Sequence, residues 1–294
     1  MPFRALVAAL VAALVAALVA ALATVAGLAA SPLAAQQAPP DYAAAMHAAH
    51  GSETPSASRA ARIQPRTAVT SEVVTYGTLD GKALKGVLAR PSGTKGGPAL
   101  IVIHEWWGLN DNIKAVAARY AGEGYTVLAV DLFGTTASTP DSAMKLYQAA
   151  MRNVPAGERN VAAAIAWLKQ AGATSIGAVG YCFGGHWSLR TGLVGGTDVK
   201  AVAIYYGAPI TDAGALARLK APVVGFYGAL DTGIPVDSVR RMQSVLTGSG
   251  RTMTMHVYDG ANHAFANPSG RAYDAKAADD AWGKALAFFK ANLR

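Results

Sequence analysis

Six short apolar runs recur between residues 99 and 260, each of strand length: "ALIVIHE" from Ala99, "YTVLAVD" from Tyr125, "SIGAVGYC" from Ser175, "VKAVAIYYG" from Val199, "APVVGFYGALD" from Ala221 and "TMTMHVYDG" from Thr252. The run from Ala99 does not alternate apolar with polar residues, as a half-buried strand would, and neither does that from Ser175. A run that is apolar on both faces belongs to a strand covered by helices on both sides. The segments between the runs have helical spacing, with single stripes at Ile113, Val116, Ala117 and Tyr120, at Val161, Ala164, Ile165 and Leu168, and at Trp282, Leu286, Phe289 and Leu293. Such alternation restricts the chain to an α/β layered fold, a single domain with a mostly parallel central sheet flanked by helices. Ahead of it, "SEVVTYGTLDGKALKGVLARP" reads as an N-terminal β-hairpin turning at Asp80-Gly81. Asn110 or Asp111 is placed to cap the helix after the first run, and Gly122 or Gly124 to end it.

Domain boundaries follow from composition. Residues 68–294, about 225 in all, suffice for one large core and not comfortably for two. Residues 1–35 open on "MPFR" and continue as an uncharged apolar stretch from Ala5 to Ala30, with small residues before an expected cut near Ala35. This is the pattern of an export signal, and it predicts a periplasmic or secreted product. The stretch is also long enough to serve as an uncleaved membrane anchor, the only membrane contact expected. Residues 36–67 are rich in Ala, Pro, Ser and Gln with no apolar period, and read as a flexible linker in which His47 and His50 are solvated rather than metal ligands. The 26 Lys and Arg outnumber the 18 Asp and Glu, but they are scattered, without a basic run or stripe, which argues against a nucleic-acid partner.

Cys182 is the only cysteine in the chain. In "GYCFG" it stands between Gly180 and Gly184, directly after a buried strand and before a helix, the setting of a nucleophile elbow with cysteine in place of serine. The flanking glycines have a steric role, because the turn is strained and side chains there would collide with neighbouring strand and helix. The N–H groups at the following helix N-terminus favour a thiolate. A small buried residue capping a strand is the competing reading, since free cysteine is often fully buried.

A thiol nucleophile needs a base within reach and a group that orients the base. In the elbow architecture the acid follows the nucleophile and the histidine comes last. Asp231, in "GALDTGIP", and His263, in "GANHAF", each fall just beyond the C-terminal end of a strand, where open α/β sheets place functional groups. Their plain alternatives are a turn aspartate and a loop histidine. His256 lies within a strand, His186 on the elbow helix, and Asp259 in a turn before glycine, so these are weaker candidates. Glu105 ends an apolar strand and precedes two tryptophans; burying its carboxylate requires a partner, which makes it a site candidate beside the alternative of a structural ion pair or helix cap. The loop it opens should supply one backbone oxyanion donor, the N–H of Trp106, with the N–H of Phe183 as the other.

Together "IHEWWGLND", "YTVLAVDLFG", "GAVGYCFGG", "AIYYG", "GALDTGIP" and "GANHAFANP" resemble, in order, the dienelactone hydrolase family of the α/β-hydrolase fold, over about Val69 to Leu293. The resemblance implies a Cys182, His263 and Asp231 triad that hydrolyses a small-molecule ester or lactone through a thioester, with no metal or organic cofactor. It implies also that Glu105 contacts the resting thiol and helps to ionise it when substrate arrives. The family's founding type grips a substrate carboxylate with arginines; here Ala264 and Asn267 stand after the histidine, Arg271 is too distant, and "FGTTASTPDS" has no basic residue. An uncharged ester in an apolar pocket shaped by Trp106, Trp107, Phe133 and Tyr147 is expected instead. A monomer is the expected state. The alternative from another class is an exported binding protein that kept the fold without catalysis; a redox-sensing thiol would lack a resolving cysteine.

Overall fold

A computed structural model describes residues 62–293, together with Tyr42, Ala44, His47, His50, Gly51 and Pro55. The expected export signal, residues 1–35, lies outside the described residues. The domain begins with strands β1 (Val69–Leu79) and β2 (Lys82–Pro91). They pair antiparallel around Asp80 and Gly81, both at positive φ (48° and 78°), the backbone a two-residue hairpin of this twist requires. The apolar runs form β3 (Gly97–Ile103), β4 (Thr126–Val130), β5 (Ala173–Tyr181), β6 (Val199–Tyr205), β7 (Val223–Gly228) and β8 (Met253–Tyr258). Between and after them lie helices α1 (Asp111–Gly122), α2 (Pro140–Arg152), α3 (Val154–Gln170), α4 (Phe183–Gly195), α5 (Ala213–Leu216), α6 (Val236–Gly248) and α7 (Ala275–Asn292). Asn110 is the cap of α1, its Oδ1 accepting the N–H of Ile113. No described helix is long and apolar enough to cross a membrane.

The eight strands form one sheet in the order β1-β2-β4-β3-β5-β6-β7-β8. From β4 to β8 every neighbouring pair is parallel, while β2 joins β4 antiparallel. Every residue of β4 is buried, and so are those of β3 from Ala99 onward. This is the fold expected, an α/β-hydrolase sheet with a hairpin at its edge. The chain winds from β3 outward to β4, then returns to start β5 on the other side of β3. The loops after β3 and β5 therefore diverge, and open a crevice at the C-terminal ends of these two strands. Glu105 and Cys182 sit in those loops.

One expectation is corrected. His50, read as a solvated linker histidine, is buried, with 5% of its surface exposed. Tyr42, Ala44, His47 and His50 are all helical, and Tyr42 packs against the core. The sequence here is rich in alanine, the best helix former, and so carries helix propensity without an apolar period. His47 stays half-exposed, 3.4 Å from Asp141.

Candidate active site

The elbow follows from close approach of backbones. A Cβ on Gly180 would lie 1.9 Å from the carbonyl oxygen of Gly184, and one on Gly184 would lie 2.2 Å from that of Ile103. Only glycine lets β5, α4 and β3 meet in this way. Cys182 between them is forced to φ 56°, and its N–H donates to Tyr205 O at 3.0 Å, which ties the bend to the end of β6. Non-glycine residues at such φ cost about 1–3 kcal/mol and persist only where the surroundings over-determine them.

The sulfur is closed off, with 4% of Cys182 exposed. Burial pushes its thiol well above the ordinary range, and the negative charges of Glu105 and Asp231 push the same way. The backbone N–H groups of Phe183 and Trp106 donate toward the sulfur and oppose this without overcoming it. The resting residue is a protonated thiol, held by the same two N–H groups expected to receive an oxyanion.

His263 and Asp231 are brought together from the loops after β8 and β7. His263 Nδ1 donates to Asp231 Oδ2 at 2.6 Å, and Asp231 Oδ1 accepts the N–H groups of Gly233 at 2.9 Å and Ile234 at 2.8 Å. The carboxylate is thus fixed on one oxygen and fixes the imidazole with the other, which leaves Nε2 as the reactive nitrogen. That atom is buried and takes no hydrogen bond from any described protein group, and the buried indole N–H of Trp106 donates to none. A buried polar atom left unpaired costs about 1–3 kcal/mol, a sign that the site is built for something besides stability.

Glu105 is buried, and Asn267 Nδ2 donates to its Oε2 at 2.6 Å. Tyr206 donates its hydroxyl to Oε1 at the outer limit, 3.5 Å. The Tyr206 phenol is held protonated by burial and by the charge of Glu105, and its backbone is strained at φ 39°. A second layer supports Asn267, whose Oδ1 accepts Asn112 Nδ2 at 3.3 Å and the N–H of Ser269 at 2.9 Å. In the sequence Asn267 stands out only as a departure from the family's arginine. Nothing in local sequence shows that it reaches Glu105 across 162 positions. Tyr206 carries a local signal, a polar-tipped residue one step past the end of β6 in "AIYYG".

The cavity at the thiol holds about 20 Å³, with Tyr42, Tyr147, Met151, Phe183 and Ile234 in its walls. His186 also lines it. Its Nδ1 donates to Ala208 O at 3.0 Å and its Nε2 accepts from Arg190 Nε at 2.8 Å, so both nitrogens are engaged in the neutral form. Burial lowers its pKa to about 4, and Arg190 adds to the effect. Of the residues expected to shape the pocket, Tyr147 is present. Phe133 is placed elsewhere, in a separate groove of about 720 Å³ lined also by Leu79, Lys82, Leu146, Asn160 and Trp187. Trp107 is buried against Trp106, ring centroids 4.9 Å apart, and does not line the cavity. Two described residues outside the expected domain complete the surroundings: Tyr42, and His50, whose ring lies 5.2 Å from that of Trp106 and 5.4 Å from that of His263. Among the described residues no cluster of three or more His, Cys, Asp or Glu side chains is arranged to hold a metal ion.

A strained residue between sheet and helix, an imidazole and carboxylate from later loops and two converging backbone donors define an α/β-hydrolase. The model of the dienelactone hydrolase family matches residues 84–293. The chain is 32% identical over 223 residues to Protein usf of Aquifex pyrophilus, covering 73% of this chain and 96% of that one. It is 32% identical over 211 residues to a Methylorubrum extorquens protein named "Putative carboxymethylenebutenolidase", covering 66% and 72%. A dienelactone hydrolase-like promiscuous phosphotriesterase from metagenomic libraries shares the fold, with a TM-score of 0.71 and 24% identity over 77% of this chain and 100% of the other. The chain belongs to the dienelactone hydrolase family, and with it to the carboxylic-ester hydrolases.

Proposed function

We propose that the protein is an exported hydrolase of uncharged carboxylic esters or lactones that works through a Cys182 thioester. The observation that carries this reading is the pairing of His263 with Asp231 at 2.6 Å in the same buried site as the strained Cys182. In the reaction the sulfur leaves the two N–H groups, its proton passes to His263 Nε2, and sulfur bonds to the carbonyl carbon. The carbonyl oxygen takes the charge and the place vacated against Trp106 and Phe183. The carbon–oxygen bond to the leaving group breaks, and the departing alkoxide takes the proton from His263. A water molecule then yields a proton to His263 as its oxygen attacks the thioester; the acid departs and sulfur recovers the proton. Asp231 stabilises the imidazolium in both halves. Glu105, beside the sulfur, disfavours the thiolate until the side chain moves toward His263, which keeps the resting sulfur a weak nucleophile.

The uncharged substrate is supported by the cavity walls. His186 in those walls is kept neutral, its pKa lowered by burial and Arg190 to about 4, and Ala264 and Asn267 stand where the resemblance to the family's founding type leads one to expect an arginine. The export reading rests on the sequence pattern of residues 1–35.

Purified parent, Cys182→Ala and His263→Ala chains should be compared on aryl esters, alkyl thioesters and lactones. We expect each substitution to lower kcat/KM by about 10³-fold or more, and a mass increment on Cys182 with a slow ester in the parent. A Cys182→Ala chain as active as the parent would end the nucleophile assignment. Because the thiol pKa is raised, alkylation of the substrate-free parent should keep accelerating as pH rises past 9.0, the ordinary cysteine value. A plateau below pH 7 would contradict the protonated resting thiol.

A further inference from the structure

Tyr42 and His50 stand well before residue 84, where the match to the family begins. Both residues are helical. His50 is 5% exposed and meets two groups the proposed reaction uses. Its ring is 5.2 Å from that of Trp106, whose N–H is an oxyanion donor, and 5.4 Å from that of the proposed base His263. Tyr42 reaches the sulfur itself. It lines the cavity at Cys182 with Tyr147, Met151 and Ile234, and its hydroxyl bonds the Ser238 side chain in the first turn of α6. The space that Tyr42, Tyr147, Met151 and Ile234 leave beside the sulfur, about 20 Å³, accommodates roughly one water-sized group, and His50 packs behind it on Trp106 and His263.

We infer that Tyr42 and His50 are specificity-determining residues added to the family's site from outside its domain. They narrow the approach to Cys182, so that compact acyl groups are accepted and bulky ones rejected. A side chain that fills space next to a reacting atom discriminates by size without touching the chemistry. Each methylene excluded from an apolar pocket changes selectivity by about 10–200-fold. The neutral walls described above add the requirement that the compact group be uncharged. A cut near Ala35, as expected for export, leaves both residues on the mature chain.

The substrate claim rests on the hydrolase reading; the steric claim does not, and the single cysteine allows the two to be separated. Methyl and benzyl methanethiosulfonate modify thiols by the same chemistry and differ in size. Their rates with Cys182, read by mass, give a ratio that reports space at the sulfur. The full chain and its Tyr42→Ala, His50→Ala and His50→Phe variants should be compared. We expect the benzyl-to-methyl ratio to rise at least tenfold in the two alanine variants and to return toward the parent value in His50→Phe. We expect the hexanoate-to-acetate ratio of kcat/KM for aryl esters to rise in parallel. A ratio within twofold of the parent in both alanine variants overturns the inference, and so does an equal acceleration of both reagents, which would mean a general loosening. If His50→Ala does not fold, Tyr42→Ala decides. A labelling ratio that shifts in a chain that turns over no ester would sustain the steric claim and remove the hydrolase reading.

Discussion

The groove beside the hairpin holds about 720 Å³ and the cavity at Cys182 about 20 Å³, yet it is the smaller one that Cys182 and Phe183 line. Part of the groove's polar lining is tied into one chain of hydrogen bonds. Tyr76 donates to Asn160 Oδ1 at 2.6 Å, Asn160 donates to Asp131 O at 3.1 Å, and Asp131 caps the turn through the N–H groups of Phe133 and Gly134. Around the thiol such features accumulate: Cys182, Tyr206 and Ala264 are at positive φ, against Asp80 alone among the non-glycine residues of the groove, and the buried nitrogens of His263 and Trp106 lack partners among the described residues, as Trp187 Nε1 does at the groove. Volume is the default pointer to a binding site. Here the better pointers are steric cost and unmet hydrogen bonding, which a stable fold removes wherever function does not hold them in place.

This contrast can be broken in three ways. The largest effect should come from Gly184→Ala. Its methyl would meet the Ile103 carbonyl at 2.2 Å, a backbone contact that cannot turn aside, and we expect a loss of about 3 kcal/mol or more in urea unfolding, with activity lost in step. Next is Asn267→Leu, which takes from Glu105 a hydrogen bond of 2.6 Å. Hydrogen bonds to charged groups are worth about 1.5–3 kcal/mol, so kcat/KM should fall about 10–100-fold while the circular dichroism spectrum stays as in the parent. An unchanged rate would show that the position of Glu105 is immaterial. Smallest is Lys82→Ala at the rim of the groove, for which ester turnover within about twofold of the parent is expected. A tenfold change there would make the large groove part of the substrate path and undo the comparison.

Most of the frame could be read from the chain itself. Apolar runs without alternation pointed to a covered parallel sheet, the Asp80-Gly81 turn to the hairpin, and the order of Cys182, Asp231 and His263 to three loops on one edge, because each of these is a local pattern with a local cause. What escaped depends on approach between distant segments. Asn267 meets Glu105 only because the loops after β8 and β3 end at the same rim, and Phe133 and Trp107 were expected at the pocket because they are large and near the right strands, which does not determine where a ring points. His50 escaped for another reason. Its neighbours carry helix propensity but no apolar stripe, and the surface that buries it is assembled from residues 106 and 263.

Cys182 and Tyr206 end adjacent strands in conformations that glycine would adopt at no cost, joined by the bond from Cys182 N to Tyr205 O. Replacement of either by glycine relieves crowding and also deletes a sulfur or a phenol that faces Glu105. Drift toward sturdier descendants therefore meets easy gains at two bends where each gain disarms the molecule. The ceiling on how robust this lineage can become is set by the atom it reacts with.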